Sequence, residues 1–235
     1  MGIEAFLSRH GLATATGAIA LAAWTGLALG LGGLTASPIC SLSPWAGPTS
    51  LRLALTINPP ASLAAGWALM ALAMMTPLTA SPLAHLRQRS FARRRASATL
   101  LFGLGYGLVW LAAGACLEAL ALGAWIAAPR SPAPLAAAVL IAMAWQVSPA
   151  KQICLNGCHH RPALAAFGGA AARDAFVFGL TQGAWCVGGC WALMLAPLML
   201  REGHLAAMAA VAGFLFLERM APPATPAWRW RPGGC

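Results

Sequence analysis

Apolar residues run along this chain in blocks of helix-crossing length, separated by short polar or basic stretches. About 17–25 uncharged residues suffice to cross the ~30 Å of bilayer hydrocarbon as a helix. Six segments meet or approach that length: 11–34, 61–83, 97–128, 133–158, 175–200 and 203–217. The first follows Arg9 and His10, as a secretion signal would, but its run is too long for one and no small-residue cleavage site follows, so a retained helix is predicted. The fourth continues past Pro149 as a kinked helix. The sixth is the shortest. The pattern predicts an all-α, polytopic transmembrane bundle over 1–220, followed by a basic tail over 221–235.

Composition reinforces this. Of 235 residues, 60% are hydrophobic and 9% charged, where a soluble domain carries about a quarter charged residues. Mean hydropathy is +0.71. Lipid is thus the expected neighbour of most of the surface. The net charge of +10 would in a soluble domain raise nucleic acid as a partner, but the bases lie between apolar runs and act as topology signals. Arg9, Arg87, Arg89, Arg93, Arg94, Arg95, Lys151, Arg161, Arg173, Arg219, Arg229 and Arg231 fall on one side of a six-span arrangement. Only Arg52, Arg130 and Arg201 fall on the other. The positive-inside rule then predicts both termini in the cytoplasm, with a bacterial inner membrane as the location.

The candidate chemistry is in the cysteines. Of seven, four form two identical spacings: Cys154 with Cys158 closing the fourth segment, and Cys186 with Cys190 within the fifth. Residues four apart share a helix face with Cβ atoms ~5–6 Å apart, wider than the ~3.5–4.5 Å of a disulfide. A metal between two sulfurs at ~2.3 Å each spans the gap. Cys154, Cys158, Cys186 and Cys190 are therefore the candidate metal ligands, with His159, His160, Met70 and Met74 as possible additions. Thioethers and thiolates select Cu(I); a Cys₂His₂ set with His159 and His160 would suit zinc. Two thiols per helix can also simply pack as small apolar groups. Helical rise puts Cys154 near the basic face and Cys186 ~15 Å inside, which favours two sites unless 151–173 folds back. Among the acids, Glu118 is the intramembrane candidate, with Gln182 as a possible partner; Glu218 and Asp174 are read as interfacial, and Lys151 as snorkelling to the surface.

Four stretches resemble a bacterial family of unknown function, described as predicted metal-binding integral membrane proteins and sometimes labelled copper chaperones. They are Met70-Ala-Leu-Ala-Met74-Met75-Thr-Pro77; Trp145 to Cys158; Gly183-Ala-Trp-Cys186-Val-Gly-Gly-Cys190-Trp191-Ala-Leu-Met194; and Phe216-Leu-Glu218-Arg219. The resemblance implies a polytopic membrane protein with a metal site at these cysteines. This chain departs from it at Gly189, where a further Cys is common, and at His159, where Arg is common. Three functions follow as alternatives: an integral membrane Cu(I)-handling protein, transporter or chaperone, that passes its ion to a receiving protein; a thiol–disulfide membrane protein; or a non-catalytic assembly subunit. No hydrolytic triad, phosphate loop or carboxylate pair marks an enzyme.

Overall fold

The computed structural model of the chain describes residues 3–30, 59–128, 131–200 and 202–230, with side chains from residue 11. Cys40, Cys235, Arg52, Arg130, Arg201 and Arg231, the side chain of Arg9, and the end of the first predicted span lie outside the described residues. Helix α1 spans Ile3–Ala28, α2 Pro60–Met75, α3 Ala80–Arg89, α4 Arg95–Ala127, α5 Ala133–Val147, α6 Pro149–Gly157, α7 Gly168–Met199 and α8 His204–Met220. A 3₁₀ turn, Thr76–Thr79, joins α2 to α3 into one apolar rod. There is no strand among the described residues.

Four of these helical units are long and apolar enough to cross a membrane: Gly11–Ala28, Pro60–Arg89, Ala92–Ala127 and Gly168–Met199. The pair α5–α6 passes the same test only as a unit bent by 68°, which would make a fifth. The sixth predicted span coincides with the 17-residue α8, which is not among the helices that pass this test. Exposed Leu100, Leu104 and Leu108 line the outer side of α4, as a lipid-facing helix requires.

Helices α4 and α7 form the central pair, and glycine sets their distance. A Cβ on Gly179 would collide with the backbone of Phe102, one on Gly105 with the backbone of Phe176, and one on Gly183 would lie 3.0 Å from Val109 Cβ. Gly103 and Gly107 on α4 both face open space; it is Gly105, between them, that meets α7. Helix α2 closes on this pair through Trp67, whose ring covers Gly114 and whose indole N–H donates to the Trp110 carbonyl at 2.7 Å.

A sulfur-lined candidate metal centre

The bend between α5 and α6 has a local cause. Pro149 cannot continue the α5 hydrogen-bond ladder and stands at the first turn of α6, while Ser148 caps that helix by accepting from the Lys151 N–H at 3.2 Å. The chain turns by 68° and lays α6 back along α7. Gly157 then fits beneath the Trp185 ring, where a Cβ would lie 2.5 Å from the ring, and Trp145 donates to the Gly188 carbonyl at 3.0 Å.

Residues far along the chain hold this elbow. Lys151 and Glu218 form an ion pair at 2.6 Å with side chains 1% and 2% exposed. Gln146 hydrogen-bonds to both, donating to Glu218 and accepting from Lys151, and the ammonium lies 5.6 Å from the Phe214 ring centroid. Reading Lys151 as snorkelling and Glu218 as interfacial is thereby corrected: each supplies the charge that lets the other stay buried. On the opposite side, residues 224–229 run along α6. The Asn156 amide donates to the Ala224 carbonyl at 2.7 Å and accepts from its N–H at 3.2 Å. Gln152 does the same with Ala227 at 2.7 and 3.1 Å. Two amide side chains thus clip the first part of the tail in place, leaving Trp228 and Trp230 exposed.

This elbow brings the two cysteine pairs together. Cys154 sits against Gly188: a Cβ on Gly188 would lie 2.6 Å from the Cys154 sulfur, and a residue two positions from both Cys186 and Cys190 lies across the helix from them. Cys158 is 1% exposed and lies within electrostatic range of Cys186, Cys154 and Arg219. Cys190 lies within range of Cys158 and Lys151. The bend thus brings Cys158, rather than Cys154, near Cys186 and Cys190. All five described cysteines are free thiols.

The rest of the lining is sulfur and aromatic. Cys186 Sγ is 3.8 Å from Met75 Sδ and accepts from the Tyr106 hydroxyl at 3.2 Å. Cys190 Sγ donates to the Cys186 carbonyl at 3.0 Å and lies 4.0 Å from Met194 Sδ. Met70 and Met74, both 4% exposed, belong to the same buried cluster as Cys186 and Cys190. Sequence spacing favoured Met70 with Met74 as a pair; the structure adds Met75, which meets Cys186 because α2 tightens into the 3₁₀ turn one residue later. Tyr106 and Met194 were not singled out by any spacing.

The remaining candidates lie elsewhere. His159 Nδ1 bonds its own helix at the Leu155 carbonyl, 3.0 Å away, and His160 is exposed. Glu118 is half-exposed on α4. Gln182 turns from it to donate to the Cys158 and His160 carbonyls at 3.4 and 3.3 Å. Among the described residues, no three His, Cys, Asp or Glu side chains gather as a metal cage. That fits a tetrahedral zinc site poorly. The Cys186–Met75 separation of 3.8 Å lies within the ~4.6 Å reach of two sulfurs on one ion, and such a low-coordinate mixed thiol–thioether set suits a soft monovalent ion.

A helical membrane bundle with a buried sulfur cluster is thus the class that fold and site define. The chain belongs to the PpoB2 copper chaperone family, whose profile matches residues 64–235. That match covers every cysteine, methionine and ion-pair residue described above. No curated protein and no solved structure matches the chain.

Proposed function

We propose that this protein binds Cu(I) within the membrane and hands it on, as a membrane chaperone or transporter whose cargo passes through the Cys154–Cys158 and Cys186–Cys190 pairs. The observation that carries this reading is the approach of Cys158 to Cys186 and Cys190 across the α6–α7 contact, with Met75 against Cys186. Membership in a copper chaperone family supports copper as the metal. The oxidation state follows from ligand softness.

The chemistry is ligand exchange. A thiol binds Cu(I) by shedding its proton, so a bis-thiolate complex carries −1. Arg219 lies within range of Cys186 and Cys158, and Lys151 within range of Cys190; these cations temper that charge in a low-dielectric interior. Neighbouring sulfurs from Met75, Met194 and the second pair let the ion exchange one ligand at a time. A receiving protein would collect the ion at the more open Cys154 end, and the inner membrane of a bacterium is the setting we assign.

Titration under reducing conditions against a chromophoric Cu(I) chelator tests this. The protein should retain Cu(I) against the chelator, and Cys186→Ser with Cys190→Ser should lose that retention. Unchanged stoichiometry and affinity in the double variant would make the pair a packing feature.

A further inference from the structure

The turn after Cys158 gathers two guanidinium groups, and no ion pair joins either to a carboxylate among the described residues. Arg161 donates to the Cys158 and His160 carbonyls, each at 3.0 Å, and to Ser81 Oγ at 2.8 Å. Arg219, in the last turn of α8, donates to the same Cys158 carbonyl at 3.4 Å. Every one of these acceptors is neutral. Among the described residues, neither guanidinium forms an ion pair with a carboxylate: Glu218 is committed to Lys151, and Asp174 accepts from the Ala165 N–H at 2.9 Å.

Both arginines are half-buried. They meet at the Cys158 carbonyl, to which both donate. Two like charges held together cost free energy that an anion would relieve, and a guanidinium pairs with a carboxylate through two parallel hydrogen bonds. The pair also flanks a thiol. The Cys158 sulfur lies within electrostatic range of both guanidiniums, and Cys154, one turn earlier, is the more open of the two sulfurs. Ser81 and the Pro162 carbonyl, which His85 Nε2 meets at 2.9 Å, tie this turn to α3. It therefore belongs to the arginine-rich end of the bundle.

We propose that Arg161 and Arg219 form a receptor for the carboxylate of a small thiol that carries Cu(I), docking it so that its ion passes to Cys154 and Cys158. The proposal rests on the Cu(I) reading above and adds the form in which the ion arrives. The donor is a two-coordinate complex of Cu(I) with two carrier thiolates. The Cys154 sulfur forms a bond to Cu(I), one carrier sulfur–copper bond breaks, and the Cys154 proton goes to the departing carrier thiolate. The same exchange at Cys158 releases the second carrier thiol. The complex holds its charge of −1 throughout, copper stays Cu(I), and no electrons are transferred. A ligand bearing both carboxylate and metal-bound sulfur uses the cations and the thiols together, which a lipid phosphate does not.

The test compares loading rates from two donors, the Cu(I) complex of glutathione and that of glutathione diethyl ester, which have the same sulfur but free or blocked carboxylates. In neutral detergent the wild-type chain should load from glutathione faster by about ten-fold, the size of a charge-assisted hydrogen bond. In Arg161→Gln the ratio of the two rates should fall toward one, with Arg161→Lys between. Because each variant is its own control, partial misfolding does not mimic the result. Equal rates in wild type, or a ratio unchanged in Arg161→Gln, would overturn the receptor. So would loss of the wild-type preference in phosphatidylglycerol bilayers with its retention in phosphatidylcholine, which would make the pair a headgroup site. Loading from neither donor would instead overturn the Cu(I) reading itself.

Discussion

The Cys154 sulfur occupies the space in which a side chain on Gly188 would begin: a Cβ there would lie 2.6 Å away. One thiol of the bent helix is thus seated on the face of α7 across from Cys186 and Cys190, and the glycine is what admits it. Gly188→Ala should push α6 off α7. Overpacking of this kind costs about 1–3 kcal/mol, and Cu(I) affinity should fall by ten-fold or more. Gly189→Ala is the control, because its Cβ would make an ordinary 3.7 Å contact with Leu155; chelator competition should find it close to wild type.

Met75 offers a test of ligand against filler. Met75→Leu keeps the apolar volume, and such swaps usually cost under about 1.5 kcal/mol of stability. If the thioether 3.8 Å from Cys186 is a ligand, Cu(I) affinity should drop by about ten-fold while the thermal midpoint in detergent barely moves. Equal affinity would assign Met75 to packing alone.

The ion pair predicts an asymmetry between single and double variants. Lys151→Met leaves Glu218 buried without its cation, and breaking such a pair costs about 3–5 kcal/mol. Lys151→Met with Glu218→Met should recover much of that stability, since matched apolar side chains replace both charges. Thermal unfolding in detergent, read for the two singles and the double, checks this; additive losses would contradict it.

The tail clip makes a separate prediction. Asn156→Ala removes both hydrogen bonds to Ala224. Residues 224–229 should then lift from α6, and the half-buried Cys154 thiol should be alkylated several-fold faster. Cys190, 3% exposed on α7, should react no faster than before.

Much of the bundle was legible because lipid imposes a simple demand: uncharged runs of sufficient length must become helices. The cysteine pairs were legible because a spacing of four fixes a shared helix face. Their convergence was not. Helical rise separates Cys154 from Cys186 in depth, and it is the 68° turn after Ser148 that carries Cys158 toward Cys186 and Cys190. A proline announces a break but not its direction. The partnership of Lys151 with Glu218 was equally hidden, because the two lie 67 residues apart and each has an innocent interfacial reading alone. Gln182, thought of as a partner for Glu118, serves the Cys158 turn instead.

The central claim is that copper sits among sulfurs contributed by both cysteine pairs and the neighbouring thioethers. X-ray absorption of the Cu(I)-loaded protein reads this directly. A first shell of two or three sulfurs with no nitrogen is the predicted result, with the sulfur count reduced in Met75→Leu or Cys186→Ser. A four-coordinate shell containing imidazole nitrogen, which would call on His159 or His160, would contradict it.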